Sequence, residues 1–321
     1  MAVPIGYVGA DENNITTANS ATTNTTNLNA LISSLSSAGG GTIWFNEAGA
    51  YPINGTITWL PGVSFKMASG SRFVWSGSAT SDIFATRSTD VPINLDMECF
   101  VDEGTSQTGA IFRLHSCQNC HFKLRGYGSN TNSTFLVILA DSTAGQPPNG
   151  GRNFAFNTID AQHTGQVGSG LYITGIASGF GGQAQGVTLN TFYNFQCAAC
   201  AASGIRVDSW TDNNTFAGYT YVGLTGSGGV GVHINPVSPT TFTAVYALHF
   251  TQLAIDTFGT GLGRYGVVLN NCQAMQCEAF FQDPPAENGS FNGANCTSYW
   301  WKSFQSGGSI FIHEKAVSTG L

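Results

Sequence analysis

Charged side chains are scarce in this 321-residue chain: Asp, Glu, Lys and Arg make up 9% of it, against about 25% in an ordinary soluble protein. The basic residues number only 11, scattered without a cluster, and the net charge is -7. Displacing the counterions of a phosphate backbone takes a row of cations, so a nucleic-acid partner is excluded. Long apolar runs are missing too. The longest, Phe135 to Ala140, is far short of the roughly 20 residues that cross a bilayer, so no membrane insertion is expected. The first residues, Met1 to Tyr7, have neither a basic stretch nor an apolar core, and synthesis in the cytoplasm without a secretory signal is expected. Core material is abundant. Hydrophobic residues reach 42%, with 22 Phe and 6 Trp, which excludes intrinsic disorder.

Without a signal, the eight cysteines read as thiols rather than a disulfide framework. Two pairs have Cys-x-x-Cys spacing, Cys117/Cys120 and Cys197/Cys200. Four thiolates so spaced can cage a zinc ion. Neither pair carries a nearby knuckle-like Gly or basic pattern, so small apolar side chains packed at equivalent places in a repeating fold are the favoured reading. No metal and no cofactor is expected.

Residues 11 to 27 are mostly Asn, Thr, Ala and Ser, and 1–27 reads as an extended N-terminal arm. Leu28, Leu31, Ile32 and Leu35 then recur at i, i+3, i+4 and i+7, with Gly39 to Gly41 as the stop. This spacing predicts a short helix over 28–38 with Thr26 or Asn27 as N-cap. Beyond it, β-prone segments such as Thr42 to Phe45, Thr56 to Leu60 and Arg72 to Trp75 alternate with Gly, Asn and Pro, the texture of an all-β domain.

Internal repetition selects among β architectures. Gly-apolar-any-apolar appears at Gly170, Gly204, Gly231 and Gly266, with Gly109 as an upstream member. Asn-Thr-apolar recurs at Asn157, Asn190 and Asn214. Quasi-regular repeats with inserts of varying length suit a parallel β-solenoid. In such a fold equivalent side chains stack about 4.8 Å apart. Like charges repel at every step of the column, while Asn, Thr and aromatics stack well, which matches 25 Asn and few charges. A jelly roll or other sandwich would call for strands spaced every 8–12 residues.

The string from the 28–35 helix through Gly39-Gly40-Gly41-Thr42-Ile43-Trp44-Phe45, Gly49-Ala50-Tyr51, Ile53, Gly55-Thr56-Ile57 and Leu60-Pro61-Gly62-Val63 to Phe65 resembles the entry segment of right-handed parallel β-helix proteins of the pectate-lyase type, above all those of phage particles. The resemblance implies a single β-helix domain over 28–321 whose first coil is capped by the helix. It implies a homotrimer on the virion surface, docked to a major capsid protein or a tail adaptor. Asn46-Glu47-Ala48 departs from the family's Pro before the Gly-x-Tyr turn.

Enzymes of this fold cleave polysaccharides with paired carboxylates. The polygalacturonase pattern is absent: Asn190-Thr-Phe and Asn214-Thr-Phe place Phe where the acid would stand. The remaining candidates are Asp208 and Asp212 beside Trp210, with Asp256 a coil away. Asp208 follows a repeated strand and is expected at a turn, where Trp210 could stack on a sugar ring. Solvated turn carboxylates account for the same residues. His163, His233 and His249 have no carboxylate partner nearby in sequence, and His233 faces away from Val232 and Ile234. Trp300-Trp301 suits a trimer interface or core filling equally. A non-catalytic structural role on the particle exterior, as capsid decoration (cement) protein or tail-associated spike, is the expectation, with the Asn/Thr-rich arm laid over a neighbouring subunit. The alternative is a polysaccharide depolymerase, or a spike that binds a cell-surface glycan.

Overall fold

In the computed structural model the described residues are 6–104, 107–141, 153–176, 184–234 and 245–256, followed by the backbone of strands from Tyr265 to Ala316. The strands join in one sheet that winds around the molecule. Every pairing among them is parallel except the last, where Ser298–Gln305 meets Ile310–Ala316 antiparallel. The chain is a right-handed parallel β-helix, the hand that parallel crossovers adopt because of strand twist.

Successive coils stack residue on residue. His121–Ser129 lies between Asp96–Asp102 and Thr158–Gly175, and the latter pairs onward with Thr191–Val207. Alternate side chains point inward, as the pattern of Ser71–Trp75 shows, with Ser71, Phe73 and Trp75 buried between partly exposed neighbours. The inward columns carry the core. Phe192, Phe216 and Phe250 form a stack with successive centroids 4.4 Å apart, and Phe45 meets Tyr51, Phe65 and Phe73 edge to face. Aromatic pairs in such geometry stabilise by about 0.5–1.5 kcal/mol beyond their buried area.

The repeated glycines mark equivalent positions: Leu171, Ile205, Val232 and Val267, each following a Gly, are in register. Gly109 is not. Ala110 pairs with Thr134, which pairs with Ser169, so that member lies two residues out of phase. The Asn-Thr repeat is in register, with Thr158, Thr191 and Thr215 side by side, and its Asn residues form an interior ladder. Asn157 Nδ2 donates to Asn190 Oδ1 at 2.9 Å, and Asn190 Nδ2 to Asn214 Oδ1 at 2.8 Å.

The cap differs from its sequence reading. The helix, α1, runs Ala21–Ser37, and its N-cap is Ser20, whose side chain accepts from Thr23 N at 3.1 Å, rather than Thr26 or Asn27. An inward polar residue hides the first turns from an apolar-spacing search. Asn24 is fully buried, with Oδ1 accepting from Thr16 N and Nδ2 donating to the carbonyls of Thr16 and Pro52. Leu28 and Ile32 are buried on the same face, with Leu31 and Leu35 packed against the core. Nor is the described part of 1–27 an extended arm. Tyr7–Gly9 pairs parallel with Thr42 to Trp44, and a 3-10 turn follows at Asp11–Asn13. Thr17 bonds Glu47, so this segment closes the end of its own solenoid.

Candidate functional site

The any-residue of the Gly-apolar-any-apolar repeat points outward, and on three successive coils it is Tyr172, Arg206 and His233, stacked in register. Each strand supplies one member because the flanking Leu171/Ile173, Ile205/Val207 and Val232/Ile234 are buried. The Arg206 guanidinium sits 4.9 Å from the centre of the Tyr172 ring. Its Nη2 donates to Asp208 Oδ2 at 3.1 Å. Asp208, two residues on, is 4% exposed, so it is a buried ion-pair partner rather than a solvated turn carboxylate.

Two polar atoms of this group, Arg206 Nε and Asp208 Oδ1, are buried without a hydrogen-bond partner. Burial, then the Asp208 carboxylate, pushes the Tyr172 phenol up to about 12. Burial and then Arg206 push the His233 imidazole below its usual value, against a smaller opposing pull from Asp208. At neutral pH the cluster therefore presents a protonated phenol, an uncharged imidazole and a closed Arg–Asp pair. It can exchange hydrogen bonds with a polar ligand, but glycoside hydrolysis needs an acid and a second carboxylate across the bond.

The three carboxylate candidates do not converge. Asp212 lies opposite Thr188 and Tyr246, whereas Asp256 lies opposite Gly223 at the far end of Thr211–Leu224. Asp212 accepts from Asn213 Nδ2 at 2.8 Å, and burial raises its carboxyl pKa. Asp256 is buried beside Tyr221, whose phenol donates to its Oδ2 at 3.2 Å. Trp210 is half-buried with φ 54°, and its carbonyl accepts from Val187 N, so it is a tight corner residue with only part of its ring free.

His163 has the partner that its sequence neighbourhood lacks. Its Nε2 lies 3.3 Å from Glu103 Oε1, with both side chains fully buried. The room comes from glycine: a Cβ on Gly128 would fall 2.3 Å from Glu103 Cγ, and one on Gly126 would fall 2.6 Å from His163 Cδ2. His233 is half-buried and His249 exposed. The cysteine pairs are packed in the core, but not at equivalent places. Cys197 Sγ is 2.9 Å from Cys200 Sγ, and Cys197 pairs across the rung with His163. Cys120 instead sits below the Asn ladder, its N–H donating to Asn157 Oδ1. Burial pushes the Cys117 and Cys197 thiols well above their usual range. Among the described residues no three His, Cys, Asp or Glu side chains form a metal-binding group.

A second polar surface was not visible from local sequence. A groove of about 420 Å³ lies between Met67–Ser71 and the outward side chains Glu98, Phe100, Lys123 and Arg125. Three carboxylates along this face are paired: Asp96 with Lys66 at 2.6 Å, Glu98 with Lys123 at 2.6 Å, and Asp160 with Arg125 at 2.7 Å. The groove is a mosaic of closed ion pairs flanked by the exposed Tyr127 and Tyr193.

No family model and no curated protein matches the chain. Among solved structures it is similar to a hyperthermoactive exopolygalacturonase from Thermotoga maritima, with TM-score 0.44, 10% identity, and coverage of 99% of this chain and 96% of that one. It is also similar to the ORF18 protein of Geobacillus virus E2, with TM-score 0.39, 11% identity, and coverage of 96% and 63%. A third is a double mutant of the tailspike protein of E. coli bacteriophage HK620, with TM-score 0.39, 12% identity, and coverage of 88% and 63%. The chain thus spans less than two thirds of the length of each viral protein.

Proposed function

We propose that this chain is a non-catalytic structural protein of the exterior of a bacteriophage particle, a homotrimeric β-helix acting as capsid decoration protein or tail-associated spike. The observation that carries the non-catalytic part is the pairing of the carboxylates. Asp208 is held by Arg206, Asp256 by Tyr221, and Asp96, Glu98 and Asp160 each by a cation. A hydrolase needs one carboxyl kept protonated and another free to attack or to activate water. The phage assignment rests on the capped first coil, where residues 39–65 fold as their resemblance implies, with Gly41–Phe45 and Val63–Met67 stacked in parallel.

The groove favours a second role within this reading, capture of a cell-surface glycan. Ion pairs fixed on successive rungs offer hydroxyl groups a rigid set of donors and acceptors, and Tyr127 and Tyr193 offer aromatic faces. The test is quantitative mass spectrometry of purified particles. A copy number close to that of the major capsid protein supports decoration, a far smaller one supports a spike, and absence from the particle refutes the proposal.

A further inference from the structure

The solenoid turns one of its corners with a residue in the left-handed conformation on each of five coils: Asn94, Asn119, Phe156, Leu189 and Asn213, with φ between 49° and 60°. The residues just before them are in register, Ile93 with Gln118, Gln118 with Ala155, and Ala155 with Thr188 and then Asp212. The five are therefore equivalent. Asn is suited to this conformation because its short polar side chain tolerates it, and a bulky apolar residue is not. Yet Phe156 and Leu189 hold it on adjacent coils, about 4.8 Å apart, with 60% and 48% of their surface exposed. A single copy gains nothing from either feature. Asn, as on the other three coils, would relieve the strain and remove the apolar exposure together.

We propose that the Phe156–Leu189 corner is the contact through which copies of this chain meet along the trimer axis, an inference that rests on the homotrimer proposed above. The occupant follows from charge. In a closed trimer whose axis runs along the solenoid, residues near the axis meet their own copies, so any charge there faces like charges. The corner is uncharged at all five positions, and Thr158 and Thr191 beside it are neutral too. Of its flanking acids, Asp212 accepts from Asn213 Nδ2, and Asp96, two residues past Asn94 and two coils before Phe156, is paired with Lys66. The face carrying Glu98, Lys123, Arg125 and Asp160 would instead set identical charges against one another. Exposed apolar side chains of three copies would close over each other, offsetting the backbone strain.

The test is sedimentation velocity on the full chain and on the double variant Phe156→Asn/Leu189→Asn, with circular dichroism on both. The expected result is a trimeric wild type and a variant that keeps its β-sheet spectrum and monomer fold but dissociates at concentrations at least 100-fold higher. A trimeric variant with unchanged dissociation overturns the inference while leaving the trimer in place. A monomeric wild type overturns both. Should the double variant fail to fold, Leu189→Cys decides: mild oxidation is expected to give a covalent dimer on a non-reducing gel, and its failure to cross-link a trimeric sample refutes the contact.

Discussion

Replacing Asn190 by Ala removes the centre of the interior ladder. Its Oδ1 accepts from the Asn157 backbone N–H at 3.0 Å and from Asn157 Nδ2 at 2.9 Å. Its Nδ2 donates to the carbonyls of Phe154 and Thr188, both at 3.0 Å, and to Asn214 Oδ1. After truncation Asn157 Nδ2 keeps Cys117 O, and Asn214 Oδ1 keeps Asn190 N. The Asn157 N–H loses its acceptor in a site 1% exposed. A buried donor left unpaired costs about 1–3 kcal/mol, and the weakened carbonyls and the small void add to it. The expected loss is about 3–5 kcal/mol, a drop in Tm of about 4–7 °C for a chain of this length by differential scanning calorimetry. Asn190→Asp sharpens the test. The carboxylate still accepts from Asn157 but faces three acceptors with nothing to donate, so its folded-state pKa is raised. A raised carboxyl contributes stability that is present at low pH and lost as pH rises through the folded value. This variant should melt higher at pH 4 than at pH 8, relative to wild type. A Tm for Asn190→Ala within 2 °C of wild type would refute the ladder's role in stability.

The buried and half-buried charges can be tested as well. Asp208→Asn removes the carboxylate that raises both Tyr172 and His233, so both should titrate at lower pH than in wild type, read by ultraviolet titration of the phenol and NMR of the imidazole. Because the folded His233 value lies below the unfolded one, its contribution to stability is complete above the unfolded value and lost as pH falls through the folded one, and His233→Gln should flatten that part of the Tm profile. An unshifted Tyr172 in Asp208→Asn counts against the contact. Gly128→Ala places a Cβ against Glu103 Cγ and should cost about 1–3 kcal/mol as overpacking. Combined with Glu103→Ala, which makes room but strands His163, the losses should sum to less than the two single effects by thermal denaturation, and strict additivity would show that the two side chains do not touch.

Much of the fold was legible because a solenoid repeats its chemistry. The glycines at 170, 204, 231 and 266 and the Asn-Thr pairs mark positions the structure keeps in register. The outward cluster was also within reach, since Tyr172, Arg206 and His233 occupy the variable position of that same repeat. The helix start was missed because its first turns bury Asn24, a polar residue, in place of an apolar one. Gly109 was misleading for a different reason: a local motif of four residues carries no phase, and only pairing with the next coil assigns one.

By itself the amino-acid sequence determined the class of fold: few charges, much Asn and Thr, and a quasi-period that only stacked parallel strands satisfy. Which charges meet depends on how the coils are wound. His163 and Glu103 are 60 residues apart, and Glu98 reaches Lys123 over 25, because inserts of unequal length separate coils that pack as neighbours. The same stacking gives Asp256, which read as a free carboxylate, a partner 35 residues away in Tyr221. Spacing along a chain predicts contacts within a helix or a hairpin, where geometry is local; across coils the partner is set by how much chain each turn uses, and that quantity appears only when the solenoid is wound.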